Sequence, residues 1–387
     1  MFQTGYILNR RSDLTWFIGL PFAAVLFALA SQQWLPAVVM SSVALWITIP
    51  HHFATWIRTY GFSEDWKRWT DRLIIGPLVI FGFTFLGAMS FPLTLYLVST
   101  LWDHQHSIMQ QHGFGRIYDF KAGTGTRKTA RFDLGLHWIL FGNMLVTSPL
   151  FSSLWISELY RWEIHVSLAS VQMIHTIGWT LTGTYVVIYL LHLGSSLRQG
   201  RSLNPLKYAF IGASYFLWYY SAWHTASVLV WGIAHRLMHG IQYIVIVYWY
   251  LRRKVDQQSE VDQQGEVDQQ GEVDQQGEVQ AGAAPKKFNL VRFVVRSGNV
   301  KFFLLIFLIY AALYQLAILQ PLEVFGFGVV RWSEIYRPIP ELGVAGLNPT
   351  LGYHLYTELM ITAFALTHYY FDSFIWKVRD SQVQGGL

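Results

Sequence analysis

Apolar residues along this chain come in long unbroken blocks separated by brief polar stretches, not in the short amphipathic runs of a soluble protein. At a rise of about 1.5 Å per residue, roughly 20 apolar residues carry a helix across the bilayer core. The pattern predicts ten such helices, at about 14–30, 34–55, 73–89, 91–112, 133–152, 178–194, 207–222, 225–251, 300–320 and 352–376. The expected fold is an all-α, polytopic transmembrane helical bundle. Its least separated helices are the third and fourth, parted by Ser90 and Pro92, and the seventh and eighth, parted by little more than Trp223.

Charge tests the layout, because short cytoplasmic loops should hold the Lys and Arg. With ten spans and both termini cytoplasmic, the inner segments hold all of the 28 Lys and Arg except four. Arg161, Arg331 and Arg337 fall in outer loops, and Arg236 falls inside a span. The expected location is a bacterial inner membrane. The first apolar run follows Arg10 and Arg11 without a clear small-residue cleavage site, so it reads as a retained span and not a removed signal peptide.

Three regions follow. Residues 1–251 form the first eight spans, 252–299 a cytoplasmic linker, and 300–387 the last two spans. The linker holds VDQQSE and three copies of VDQQGE in succession, with one apolar residue in six. Such a unit cannot build a packed core and is expected to be largely disordered. The outer loops 153–177 and 321–351, rich in Trp, Tyr, Pro and Gly, are expected to fold against the membrane surface.

Composition narrows the chemistry. The chain is 53% hydrophobic and 13% charged, and it has no cysteine. That excludes disulfides, thiolate ligands, iron–sulfur clusters and a cysteine nucleophile. The net charge of +5 sits in loops on one side, which points to membrane lipids and not to nucleic acid. No phosphate-binding loop, dinucleotide fingerprint, HExxH or G-x-S-x-G occurs.

The candidate chemistry lies inside the membrane. Residues 231–253 carry His235, Arg236 and His239 within a spanning length, and ionisable groups at that depth mark function by default. His235 and His239, four apart, share one helix face. Counting from the outer ends of the spans places His51, His52, His104, His106 and His368 in the same inner half, with His192 near that level and His112 toward the cytoplasmic rim. Asp103 precedes His106 by three and Asp372 follows His368 by four, so each carboxylate can ligate a metal or orient an imidazole. Adjacent His51 and His52 differ by about 100° on a regular helix, so one of the two is expected as a ligand. Arg236 needs a partner at that depth, for which Asp103 is the first choice. His354 and Glu358 form a second polar pair toward the outer side.

Two stretches, WDHQHSIMQQHGFGRIYDFK at 102–121 and THYYFDSFIWKVRD at 367–380, look like short signatures of uncharacterised bacterial polytopic membrane proteins. In general plan the histidine layer resembles the integral-membrane non-haem di-iron desaturases and hydroxylases. That resemblance implies two metals near the cytoplasmic side of a helical bundle. The chain departs from those enzymes in lacking their repeated histidine boxes: only His235 and His239 have a comparable spacing, and the doublet His51–His52 stands alone.

The expected function is a membrane metalloprotein acting as a non-haem iron oxidoreductase on a lipid-soluble substrate, served by a redox partner on the cytoplasmic side. The metal is a transition metal, iron and dinuclear by the resemblance, with zinc, copper and manganese equally suited to such ligands. His51, His52, His104, His106, His235, His239, His368, Asp103 and Asp372 are the candidate ligands. Arg236, His112, His192, Glu358 and His354 are candidate supporting or relay groups. Two rival readings remain open: an ion or proton-coupled transporter using the same groups as a relay, and a haem-binding electron-transfer subunit.

Overall fold

The structure, a computed structural model, describes residues 2–161, 163–225, 227–276, 290–296, 299–318, 352–377 and 381–387; the side chains of 37, 38, 41, 42, 44, 92, 93, 96, 161, 260–276, 290, 315–318, 352–358, 381 and 382 are outside that description. Within it the chain is helical, with one isolated bridge between Phe2 and Leu203. The helices are α1 (Arg10–Trp34, with a π-helical turn at Asp13–Gly19), α2 (Ala37–Tyr60), α3 (Ser63–Ser90), α4 (Pro92–Lys121), α5 (Arg127–Thr147), α6 (Pro149–Arg161) and α7 (Leu168–Arg198). They continue with α8 (Pro205–His224), α9 (Val228–Gln276), α10 (Leu290–Val295), α11 (Val300–Ile318), α12 (Gly352–Ile375) and α13 (Ser381–Gly386).

Nine of the ten expected stretches fall on one helix each as far as the residues are described, and 133–152 straddles two. Among the described residues three helices are long and apolar enough to cross a membrane, namely α1, α3 and α7, or four if α5 and α6 are taken as one broken span. For α4 and α9 the reason lies in the site. Helices α4 and α9 have the length but spend it on His104, Gln105, His106, Gln110, Gln111 and His112, and on His235, Arg236, His239 and Gln242. The break between α5 and α6 is a bend of 67°. Pro149 forces Ser148 out of the helical region, to φ −71° and ψ 147°.

Helix α7 shows what the outer surface is made of: Leu181, Val187, Leu190 and Leu191 are all more than half exposed. A stripe of this kind on a helix of 31 residues suits hydrocarbon and not water. Inside, the helices interlock through aromatic rings. Trp218, fully buried, sets its ring edge-on to Phe141 at 4.8 Å and to Tyr215 at 5.0 Å.

One end of the bundle is polar and cross-tied. Asn204 donates from Nδ2 to the carbonyls of Gly5 and Tyr118, 2.9 Å each, and the Lys121 ammonium donates to the carbonyl of Leu387. Buried Lys207 bridges Asp119 at 3.1 Å and Asp133 at 3.0 Å, joining α8 to α4 and α5. Buried Arg58 pairs with Asp65 at 2.8 Å, and Lys254 reaches the same carboxylate at 2.9 Å. Segments that the charge pattern assigns to one side of the membrane therefore meet at one end of the fold.

Helix α9 continues as helix into the hexapeptide repeat, through Gln276, where disorder was expected. A helix already nucleated in the bundle extends at little cost through Gln and Glu. Its first repeat residues are also packed: Val255 is buried, and Gln258 donates to Glu64 at 3.0 Å. Residues 277–289 and the outer loop 321–351 lie outside the described residues.

Candidate metal centre

Four helices meet around one point. Helix α9 packs along α2 at Gly240, where a built Cβ would sit 3.3 Å from Ile47 Cγ2 and 3.5 Å from His51 Cβ. A larger side chain at this position would press on Ile47 and on His51 itself. Helix α4 is pinned to α9 by Gln110, whose Nε2 donates to the His239 carbonyl at 2.9 Å. Helix α12 closes the fourth side.

This brings together His51 of α2, His106 of α4, His239 of α9 and His368 of α12. All four are buried, and each offers one nitrogen such that the four lie within 4.8 Å of one another. His106 Nε2 and His239 Nε2 are 3.2 Å apart. Nitrogens bound at about 2.05 Å around a tetrahedral ion are separated by roughly 3.3 Å, so this pair already has the spacing of two ligands. Both nitrogens of His51, Nδ1 of His239 and Nε2 of His368 are buried without a hydrogen-bond partner. Orphaned polar atoms are uncommon in folded interiors, and their concentration in three rings beside the close His106–His239 pair fits a shared cation.

The hydrogen bonds around His368 fix its tautomer. Tyr243 donates its hydroxyl proton to Asp372 Oδ1 at 2.6 Å. Thr55 Oγ1 contacts the Tyr243 oxygen at 2.7 Å and Asp372 Oδ1 at 3.3 Å, so its one proton goes to one of these acceptors. With Asp372 ionised, His368 Nδ1, 2.6 Å from Thr55 Oγ1, is then the donor. That leaves the Nε2 lone pair turned to the other three imidazoles. A carboxylate reaching a ligand histidine through hydroxyls is the arrangement that orients metal-binding imidazoles. The second oxygen of Asp372 stands 3.8 Å from His368 Nε2 and 4.0 Å from His106 Nε2, and it supplies an oxygen donor beside the four nitrogens. The Trp376 indole also donates to the Tyr243 oxygen, at 3.1 Å.

The other sequence candidates fall elsewhere. His235 is satisfied on both sides, because Trp218 Nε1–H donates to its Nδ1 at 2.8 Å and its Nε2–H then points to Ser107 Oγ at 3.2 Å. An indole only donates, so the Nδ1 lone pair of His235 is occupied. His104 donates from Nδ1 to the Thr100 carbonyl at 2.6 Å and rests edge-on against Phe141. His52 is buried beside the cluster, its ring 5.0 Å from that of His368, as the rotation between neighbouring positions requires. Asp103 lies on the exposed side of α4 and accepts the Tyr369 hydroxyl at 2.6 Å. Arg236 is exposed and forms no ion pair with Asp103 among the described residues, so that expected pairing is not seen. His192 stacks on Phe132 at 4.2 Å and contacts Thr129 at 3.2 Å, on the far side of the bundle. His112 faces His137, with ring centroids 6.0 Å apart. The side chains of His354 and Glu358 lie outside the described residues.

No family model, no curated protein and no solved structure matches this chain. The site is therefore read from its own chemistry. Sequence inspection overlooked Thr55, Tyr243 and Trp376, although the first two carried a usable signal: each stands one helical turn after a cluster histidine, Thr55 after His51 and Tyr243 after His239.

A cavity of about 900 Å³ adjoins the centre, with His106, Tyr243, Tyr369 and Asp372 in its wall. Volumes of this order hold small organic ligands. The centre thus combines a preorganised donor set, an adjacent phenol and carboxylate, and space for a second reactant.

Proposed function

We propose that this protein is an integral membrane metalloprotein in which His51, His106, His239 and His368 hold one transition-metal ion, and that it oxidises a lipid-soluble substrate. The observation that carries the reading is that four buried histidines from four helices each offer one nitrogen within 4.8 Å of the others, and that three of the four, His51, His239 and His368, have a ring nitrogen with no hydrogen-bond partner. The single group favours one ion over the two implied by the resemblance to di-iron enzymes. Four imidazoles with a carboxylate in reach exceed the three protein ligands of an ordinary catalytic zinc site and suit iron, which accepts higher coordination.

Iron held by these four histidines would pass electrons from the substrate and from the redox partner to dioxygen, which would end as water. Thr55 holds the His368 ring in place, and Asp372 with Tyr243 forms a carboxylate–phenol pair that takes and returns a proton at the edge of the cavity. The bundle keeps bulk water away from the centre. We place this centre in the cytoplasmic half of a bacterial inner membrane, with ten helices crossing and both termini inside, on the strength of the charge pattern and of the cross-tied polar end. Electrons reach it from a partner on that face.

Elemental analysis of protein purified in mild detergent without chelators tests the reading. About one iron per chain is expected, falling to background in His239→Ala and His368→Ala and staying near one in His235→Ala. Wild-type protein without a transition metal, or full metal in both of the first two variants, overturns it.

A further inference from the structure

The cavity beside the centre has a direction. Along α4 its wall runs from His106 to Phe120. Fourteen residues at about 1.5 Å each give a length of roughly 21 Å. Opposite, α12 and the residues just after it contribute Tyr369, Asp372, Trp376 and Lys377, which repeat at helical spacing and so form one face. The space is a channel between two helices that begins at the metal ligands and ends where both helices reach the polar end of the bundle.

The two ends differ chemically. Between them the wall is mostly apolar, with Met109, Phe114, Ile117, Ile246 and Trp376, and it carries Gln110, His112 and Ser373 as polar groups; Gly113 leaves a gap, since a Cβ built there meets nothing within 4 Å. At the polar end stand Arg116 and Lys377. The one carboxylate in that part of the wall, Asp119, is already engaged by Arg116 at 2.6 Å, by Lys207 at 3.1 Å and by the Thr124 hydroxyl at 3.2 Å. Lys377 is exposed and makes no ion pair among the described residues. Arg116 is about a quarter exposed and has further N–H groups to offer. Among the described residues the mouth therefore carries positive charge that Asp119 leaves unneutralised.

From this we infer that the substrate, on the functional reading given above, is a single-chain amphiphile with an anionic head, bound with the head at Lys377 and Arg116 and the apolar chain running up the channel to the metal. The carbon presented to His106 and Asp372 then lies at most about 15 Å from the head, the rise of the ten residues from His106 to Arg116, and nearer on the Lys377 side. A wholly apolar hydrocarbon leaves the cationic mouth without a counter-charge, and a short polar substrate leaves the apolar wall uncovered. A carboxylate and a phosphate head share the required chemistry.

Equilibrium binding to the metal-loaded protein in lipid nanodiscs tests the assignment, with oleate, oleyl phosphate and oleyl alcohol as probes. At least one anion is expected to bind roughly tenfold more tightly than the alcohol, the tighter anion naming the head. Lys377→Glu should abolish that preference. Gly113→Phe, whose Cβ has open space and whose ring adds bulk to the channel wall, should weaken all three probes. Metal content, measured on every sample, is expected to be unchanged in both variants. Equal binding of alcohol and anions, or anion binding untouched by both substitutions, overturns the substrate assignment while leaving the metal centre standing. Loss of metal in the wild-type protein points instead to failure of the functional reading.

Discussion

His368 shows how much one side chain's neighbours decide. With Asp372 ionised, its Nδ1–H donates to Thr55, whose own proton goes to Tyr243 or Asp372, and the ring then presents a bare Nε2 to the cluster. Thr55→Val removes the acceptor while keeping the shape of the side chain. Its expected effect is a tenfold to hundredfold weaker metal affinity, the usual cost of losing an orienting partner behind a ligand. Competition with a chelator of known affinity measures this, and an affinity equal to wild type would show that Thr55 does not orient the ligand. His235 makes the opposite point. It shares a helix face with His239, yet Trp218 and Ser107 engage both of its nitrogens. Spacing alone gave the two histidines equal claims, and only their partners separate them.

At the scale of elements, the site depends on how closely α2 and α9 approach. Gly240 stands where they touch, with Ile47 Cγ2 and His51 Cβ at the limit of contact for an added methyl group. Gly240→Leu should push α2 outward and carry His51 away from the other three imidazoles, lowering metal affinity at least about tenfold, since a ligand displaced by an ångström no longer completes the set. Gly232→Leu, on the same helix but with open space around the added atom, is the control and should bind metal as wild type does. Calorimetric titration with Fe(II) under anaerobic conditions compares the two, and equal affinities would remove the helix contact from the argument. The bend after Thr147 belongs at this scale too. The apolar pattern ran on through Ser148 and Pro149 as a single span, because hydropathy does not register that proline cannot continue the backbone ladder.

For the whole molecule, the question is which way the bundle sits in the membrane. The polar end gathers the N-terminal segment, the α4–α5 and α7–α8 connections, the base of the repeat and the C-terminal helix. Since the basic residues cluster there, this end is expected on the cytoplasmic side. A protease added to inverted inner-membrane vesicles should cut within the VDQQGE repeat, and the same protease added to right-side-out vesicles should leave it intact. Cleavage from the outside only would invert the proposed topology and place the channel mouth on the opposite face.

The sequence by itself determined that the protein is helical and rich in apolar blocks, because a hydrophobic block of spanning length has few other ways to satisfy its backbone in lipid. It also determined which residue types were available for a metal, since cysteine is absent, and that several histidines share one level, since depth follows from counting residues along a helix of fixed rise. Tertiary structure alone decided which of those histidines meet. Rise per residue sets height but not the rotation of each helix about its axis, nor its neighbours, and those two quantities separated His51 from His52 and His239 from His235. They also placed Arg236 and Asp103 on exposed surfaces, where height alone had suggested a buried pair.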